Sequence, residues 1–185
     1  MIEEAIEAIA EGLVVGLPTD TVYGIGVDPQ NEAAVARLYE LKGRPAHKPV
    51  GLLVADVAQA QEIGVLSDAA AELAARHWPG ALTLVVTPRV VLPDWVGDRY
   101  LRTVGIRVPD HPVALELLRR TGPLAVTSAN RSGEPEAMSD VEARAIFGGG
   151  VAVYLEGKCP GGAPSTVVDA TGAGLVVLRE GPVEV

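Results

Sequence analysis

Aromatic side chains are scarce in this chain of 185 residues: Phe, Trp and Tyr together make up 4%, although hydrophobic residues make up 48%. The core must therefore consist mainly of Val, Leu, Ile and Ala. With so few rings, the chain also lacks the stacking platforms on which single-stranded nucleic acids are usually held. The length predicts one domain, spanning residues 1–185.

Basic residues are outnumbered, with 15 Lys and Arg against 24 Asp and Glu, which gives a formal net charge of −9. Proteins that coat nucleic acid without sequence preference depend on surplus Lys and Arg, so this charge argues against that class. A few cations in one cleft can still bind a nucleotide within an acidic protein, because the electrostatic field is shaped locally.

Cysteine occurs once, as Cys159, and histidine three times. This excludes a disulfide framework within the chain and a zinc knuckle, and the histidines have no ligand spacing. Asp and Glu ligands for Mg²⁺ are not evident either, so no metal ligands from the protein are expected. Cys159 has no evident His partner and is interpreted as a passive loop thiol, with a nucleophile as the alternative.

Long apolar runs are also missing, since none approaches the roughly 18 residues of a membrane span. The first residues carry no basic region of the kind that opens a signal peptide. We therefore expect a cytoplasmic protein with no membrane partner.

Hydrophobic periodicity predicts alternating helices and strands. Asn31 is the predicted N-cap of a helix that Gly43 ends. The remaining predicted helices are 2–11, 67–77, 111–119 and 139–147, and the predicted strands are 13–17, 50–55, 81–87, 104–108, 124–127, 151–155, 165–169 and 175–179. This order indicates an α/β fold with one twisted mixed sheet and flanking helices.

The common nucleotide-binding motifs are absent. Gly157-Lys158 is followed by Cys159 where a P-loop has Ser or Thr, and Gly24-x-Gly26 lacks the third glycine of a dinucleotide fingerprint. A nucleotide enzyme with this sequence would use another kind of phosphate site.

Polar and cationic residues instead cluster at the ends of predicted elements. Because strand ends in an open α/β sheet meet at a cleft, such residues can build one polar site. The candidates are Thr21, Lys42, Arg44, Lys48, Thr103, Arg107, Ser128, Asn130, Ser165 and Arg179.

Most of these residues also have a purely structural interpretation. Lys42 and Arg44 could complement the negative end of a helix dipole, and Ser128 and Asn130 could be ordinary turn residues. Thr21 could face the core, and Arg179 could be an exposed strand-end cation. Arg107 stands between Ile106 and Val108, where a charged group needs a partner.

Several motifs, taken in order, resemble those of the YrdC/TsaC family of threonylcarbamoyl-AMP synthases. The resemblance covers residues 13–182 and rests on Leu17-Pro18-Thr19-Asp20-Thr21-Val22-Tyr23-Gly24-Ile25-Gly26, Lys42-Gly43-Arg44-Pro45, Val126-Thr127-Ser128-Ala129-Asn130-Arg131-Ser132-Gly133, Pro164-Ser165-Thr166-Val167-Val168-Asp169 and Leu178-Arg179-Glu180-Gly181. It implies a YrdC-like fold with a concave basic cavity, in the short form without an additional C-terminal domain.

The resemblance also implies the reaction, which is synthesis of threonylcarbamoyl-AMP and pyrophosphate from L-threonine, bicarbonate or CO₂, and ATP. The product serves the t6A37 modification of tRNA, so tRNA and the downstream threonylcarbamoyl transferase are implied partners. Mg²⁺ is expected to be held mainly by the ATP phosphates.

The implied residue roles divide into two groups. Threonine is expected to contact Thr21, Arg107 and Ser165, and Lys42 and Arg44 are expected to stabilise charge on the phosphates. The full set expected to bind ATP is Lys42, Arg44, Lys48, Thr103, Ser128, Asn130 and Arg179.

One position departs from the family pattern: Leu53 stands where many relatives have a His near the threonine. Two other functions remain as alternatives, namely carbamoyl transfer from carbamoyl phosphate and noncatalytic RNA binding.

Overall fold

The computed structural model describes residues 1–43, 45 and 48–185, and these residues form ten strands and six α-helices. The helices are α1 (Ile2–Ala10), α2 (Glu32–Lys42), α3 (Val57–Ile63), α4 (Asp68–His77), α5 (Pro112–Thr121) and α6 (Asp140–Phe147). The strands are β1 (Val15–Leu17), β2 (Gly24–Val27), β3 (Gly51–Leu53), β4 (Gly64–Val65), β5 (Leu82–Pro88), β6 (Val104–Arg107), β7 (Leu124–Ser128), β8 (Val153–Tyr154), β9 (Thr166–Asp169) and β10 (Val176–Arg179).

Nine of the strands follow one another across the sheet in the order β10-β9-β5-β6-β3-β7-β2-β1-β8, and β4 pairs with β5 beside this path. The pairs β1–β8, β3–β6 and β5–β9 are parallel, while the remaining pairs are antiparallel. The predicted α/β fold with a mixed sheet and flanking helices is therefore confirmed.

The two faces of the sheet are covered differently. One face packs against α2, α3, α4 and α6 in the larger hydrophobic core, which contains Leu38, Leu73, Leu84, Ile106 and Phe147. On the other face, α1 and α5 cover only the region around β1, β3 and β7 in a smaller core. The rest of that second face, over β5, β6 and β9 and the adjoining parts of β2, β3 and β7, is where a cavity can form.

The predicted caps of α2 are present. The Asn31 side chain accepts a hydrogen bond from the backbone N–H of Ala34 at 3.1 Å, which satisfies a donor of the first turn. Gly43 ends the helix at φ 62°, a left-handed conformation that glycine adopts without steric cost.

Three elements were not predicted from the sequence: β2, α3 and β4. Helix α3 has only seven residues, too few for a clear hydrophobic period. A local signal was nevertheless present, because Asp56 caps the backbone N–H of Gln59 at 2.8 Å and the Gln59 side chain accepts from the backbone N–H of Ala55 at 2.8 Å. This reciprocal arrangement is close to a capping box.

No helix in the described part of the chain combines the length and the apolar character needed to cross a membrane.

The cap on α3 gives a test of local stability. Replacing Asp56 with Ala should lower the free energy of unfolding by about 1 kcal/mol, because a first-turn N–H loses its acceptor. Asp56→Asn keeps an acceptor oxygen and should stay close to the wild type. Urea unfolding of both variants checks this, and equal losses for Ala and Asn would contradict the capping role.

Candidate active site

A cavity of about 430 Å³ opens on the second face of the sheet. Its floor is formed by side chains at alternate positions of neighbouring strands, because successive side chains of a strand point to opposite faces. On β5, for example, Thr83 and Val85 line the cavity, whereas Leu82 and Leu84 are fully buried in the larger core. The same alternation on β6 puts Gly105 and Arg107 in the cavity and Ile106 in the core.

Arg107 is the most constrained charged residue of the cavity, with 7% of its surface exposed. Its Nη2 donates to Asp20 Oδ1 at 2.6 Å, its Nη1 to Thr21 Oγ1 at 3.0 Å, and its Nε to the carbonyl of Gly80 at 2.9 Å. The sequence-based expectation that a cation on this apolar strand needs a partner is confirmed, and that partner is Asp20.

Burial lowers the pKa of Arg107, and the nearby Asp20 carboxylate opposes this shift. Asp20 is itself held in place, because its Oδ1 also accepts from the backbone N–H of Asp110 at 2.9 Å. The Asp20–Arg107 pair, with side chains 16% and 9% exposed, therefore fixes the loop after β1 to the end of β6.

The loop that carries Asp20 and Thr21 has internal hydrogen bonds as well. Thr19 Oγ1 donates to the carbonyl of Val22 at 2.7 Å and accepts from the backbone N–H of Thr21 at 3.2 Å. The backbone N–H of Thr19 points to Cys159 Sγ at 3.4 Å. Burial raises the pKa of the Cys159 thiol, which reduces its thiolate fraction and agrees with a passive role.

A second polar group on the floor joins β5, β9 and β10. Arg179 Nε and Nη2 donate to the Ser165 carbonyl at 3.1 and 2.7 Å, and Nη2 also lies 3.1 Å from Ser165 Oγ. Ser165 Oγ shares a further hydrogen bond of 2.8 Å with Thr83 Oγ1. Arg179 is thus anchored to the cavity wall, although it stands on an exposed edge strand.

On the opposite side, the Lys42 ammonium group holds the turn after β7. Lys42 Nζ donates to the Ser128 carbonyl at 2.8 Å and to Ser128 Oγ at 3.1 Å, and it also contacts Asn130 Oδ1. Ser128 lines the cavity, whereas Lys42, with 5% of its surface exposed, lies behind it. Lys42 therefore binds the turn after β7, in addition to the interaction with the helix dipole that was considered from the sequence.

The other candidate residues vary in how closely the structure relates them to the cavity. Thr103 lines it. Lys48 is exposed next to the lining residue Pro49, and its carbonyl accepts from Tyr39 Oη at 2.7 Å. Arg44 lies outside the described residues. Leu53, at the position of the His found in many relatives, lines the cavity beside Arg107.

The individual ligand roles of Thr21, Lys42, Lys48, Thr103, Arg107, Ser128, Asn130, Ser165 and Arg179 remain predictions. What the structure adds is that six of these residues, from distant stretches of chain, line one cavity: Thr21, Thr103, Arg107, Ser128, Ser165 and Arg179. Lys42 and Asn130 are hydrogen-bonded to Ser128.

Sequence reasoning did not assign several polar residues that line the cavity, among them Thr83, Asp98 and Glu136. It also did not assign Asp20, which contacts the lining residue Arg107. For Thr83, the alternation along the predicted strand 81–87 was the available signal. Asp98 and Glu136 occur in irregular segments, where no pattern gives the direction of a side chain.

The charge of the cavity differs from the basic character that the resemblance implies. Its described lining residues include two cations, Arg107 and Arg179, and two anions, Asp98 and Glu136, so their formal charges cancel. Burial lowers the pKa of Arg179, and the charge of Glu136 opposes that shift. A basic cavity therefore stays a prediction.

Within the described residues, His, Cys, Asp and Glu side chains form no group of three that could hold a metal ion.

Comparison with known proteins places this geometry in a family. The family model named Sua5/YciO/YrdC, with the description telomere recombination, matches residues 7–181. The chain belongs to the Sua5/YciO/YrdC family. The match includes every strand of the sheet and all the residues of the cavity floor described above.

Two relatives and one solved structure illustrate the likeness. A Mycobacterium tuberculosis (strain H37Rv) protein, provisionally named a threonylcarbamoyl-AMP synthase, is 48% identical over 98% of this chain and 84% of its own length. The Vibrio cholerae (strain N16961) threonylcarbamoyl-AMP synthase is 38% identical over 97% of both chains. The Pyrococcus abyssi Sua5 structure in complex with L-threonine superposes with a TM-score of 0.90 at 38% identity, over 96% of this chain.

The chain spans about half of that Sua5 protein, 53% of its length. The region matched by the family model nevertheless includes the whole cavity, because residues 7–181 contain β1 to β10.

The contacts of Lys42 lead to a stability prediction. Lys42→Met should lower the free energy of unfolding by about 3 kcal/mol, because buried oxygens of Ser128 and Asn130 lose a charged donor. Lys158→Met removes the same charge from an exposed position and should change stability little. Urea unfolding measures both, and a Lys42 variant as stable as the Lys158 variant would contradict the described role.

The buried ion pair leads to a second stability prediction. Asp20→Asn should cost about 3 kcal/mol, since it leaves the Arg107 charge buried without its counter-charge. Asp110→Asn, which neutralises an exposed carboxylate in the same region, is the matched control and should lie within about 0.5 kcal/mol of the wild type. Equal thermal unfolding of the two variants would refute the importance of the pair.

Proposed function

We propose that this chain is a threonylcarbamoyl-AMP synthase, which forms threonylcarbamoyl-AMP and pyrophosphate from L-threonine, bicarbonate or CO₂, and ATP. The observation that carries the proposal is the cavity, where Arg107, Thr21 and Ser165 stand on one side and Ser128, with Lys42 behind it, on the other. The family membership and the synthase names of the relatives support it.

Threonine is placed at the Arg107 side of the cavity. A carboxylate binds well to a guanidinium that is already fixed in direction, and Asp20, Thr21 and Gly80 fix Arg107. The hydroxyl groups of Thr21 and Ser165 offer both donors and acceptors to the polar groups of the amino acid. Leu53 contributes an apolar wall there in place of a second polar group.

ATP is assigned to Ser128 and Thr103 and extends to Arg179, which is bonded to Ser165 and so adjoins the threonine side. The Arg179 guanidinium, anchored through the Ser165 carbonyl, would stabilise negative charge on the phosphates. Lys42 would act mainly by holding the Ser128–Asn130 turn in the shape that receives the nucleotide. Mg²⁺ would be held by phosphate oxygens, where it would neutralise charge during the transfer.

The chemistry then needs no covalent enzyme intermediate. The threonine amine attacks CO₂ and releases a proton, or attacks bicarbonate with loss of water, and either route gives N-carboxythreonine. An oxygen of that new carboxylate attacks the α-phosphorus of ATP, and pyrophosphate leaves with the bonding electrons. The protein contributes by holding the two reactants in line within a site that fixes their orientation.

The direct test is incubation of the protein with ATP, Mg²⁺, bicarbonate and isotope-labelled threonine, followed by mass spectrometry. The expected product is labelled threonylcarbamoyl-AMP, and omission of threonine or bicarbonate should abolish it. Product formed only with carbamoyl phosphate would favour a carbamoyltransferase, and RNA binding without any ATP turnover would favour a binding module. Either outcome would overturn the proposal.

Arg179 provides a variant that tests the nucleotide side. Arg179→Gln should raise the KM for ATP about 10- to 100-fold, which corresponds to the loss of a charge-assisted hydrogen bond. Because Arg179 stands on an exposed edge strand, the fold should persist. Arg119→Gln, at the exposed end of α5, is the control for charge, and an unchanged KM for ATP in the Arg179 variant would count against this placement.

A further inference from the structure

Thr83 occupies the middle of a row of residues that crosses the cavity floor. The register of β5 and β6 pairs Leu84 with Ile106 and Val85 with Gly105, and its continuation places Thr83 opposite Arg107. On the other side of Thr83, the parallel strand β9 places Val167 opposite Thr83, and Ser165 lies two residues earlier, directly before that strand. Leu53, opposite Arg107 on β3, completes the row.

The hydroxyl of Thr83 is hydrogen-bonded to Ser165, one of the three residues expected to contact threonine. Thr83 Oγ1 and Ser165 Oγ are 2.8 Å apart, and Ser165 Oγ also accepts from Arg179 Nη2 at 3.1 Å. Side chains directly opposite each other on antiparallel strands have Cβ atoms about 5 Å apart, which brings Thr83 close to Arg107 as well.

Hydrogen-bond counting shows what Thr83 does for Ser165. A hydroxyl has one hydrogen and two lone pairs, and Arg179 uses one lone pair of Ser165. The bond between the two hydroxyls consumes one of their two hydrogens, so one hydroxyl hydrogen, on Thr83 or on Ser165, remains for a ligand. Without Thr83, the Ser165 hydroxyl would rotate about its Cβ–Oγ bond with only Arg179 to orient it.

We infer that Thr83 is a positioning residue for the amino-acid substrate, which orients the Ser165 hydroxyl beside Arg107. This rests on the proposed function, in that threonine is taken as the ligand of this side of the cavity. Arg179 keeps its two hydrogen bonds to the Ser165 carbonyl without Thr83, so the nucleotide side should be unaffected.

The chain offers a matched control on the same strand. Thr87 lies four residues further along β5, so its side chain points to the same face as Thr83, but it is exposed and outside the cavity. Thr83→Val and Thr87→Val therefore make the same change of hydroxyl to methyl on one strand, inside and outside the site.

The test measures threonine binding by calorimetry and steady-state kinetics for the wild type and the variants. Thr83→Val should raise the Kd and KM for threonine about 3- to 10-fold, while the KM for ATP and the melting temperature stay near the wild-type values. Thr83→Ser should restore threonine binding to within about twofold, since it keeps the hydroxyl. Thr87→Val should match the wild type in every measurement.

The outcomes separate this inference from the proposed function. If the wild type is active and Thr83→Val binds threonine as Thr87→Val does, the inference is overturned and the proposed function stands. An equal rise in the KM values for threonine and ATP, with a lower melting temperature, would indicate a merely structural role and also overturn it. If the wild type neither binds threonine nor forms the product, both fail.

If Thr83→Val does not fold, a second pair of variants separates the effect of the hydroxyl group from that of the methyl group. Thr83→Ala and Thr83→Ser both remove the methyl group, and only Ser retains the oxygen. Weaker threonine binding for Ala than for Ser supports the inference, and equal binding overturns it.

Discussion

The buried guanidinium of Arg107 is the constraint on which the site depends. A cation in the middle of an apolar sheet cannot stay charged without a partner, because the loss of hydration costs several kcal/mol. Asp20 supplies the counter-charge, and the loop after β1 must therefore lie against the end of β6, on the far side of β3, β7 and β2 in the sheet. The ion pair thus determines the position of Thr21, which occupies a second nitrogen of the same guanidinium.

The cavity lies over the part of one sheet face that the helices leave uncovered. Helices α1 and α5 cover the region of β1, β3 and β7, and the face over β5, β6 and β9 carries small or polar side chains instead of a packed layer. Glycines make room there: a Cβ at Gly105 would lie 3.3 Å from Thr83 Cγ2, and one at Gly51 would lie 3.1 Å from the carbonyl oxygen of Gly105. Because glycine has no side chain, these positions leave space above the sheet for a ligand.

The sequence predicted most strands of the sheet, the capped helix α2 and some of the residues that line the cavity, because each of these has a local or motif-based signal. Asn31 and Gly43 mark the ends of α2 by their own backbone preferences, and alternation predicted strand 81–87. It could not predict that Asp20 pairs with Arg107, since the two residues are 87 positions apart in the chain and no local pattern joins them. The contact of Lys42 with Ser128 and Asn130 was missed for the same reason, because neither of the two roles considered from the sequence, the helix dipole and phosphate binding, involves that turn.

A structure of the protein with L-threonine and a nonhydrolysable ATP analogue bound together tests the central claim most directly. The account predicts the threonine carboxylate within hydrogen-bond distance of Arg107, with Ser165 and Thr83 beside the amino acid and the phosphates toward Ser128 and Arg179. Threonine bound away from the Asp20–Arg107 pair, or a nucleotide outside this cavity, would contradict it.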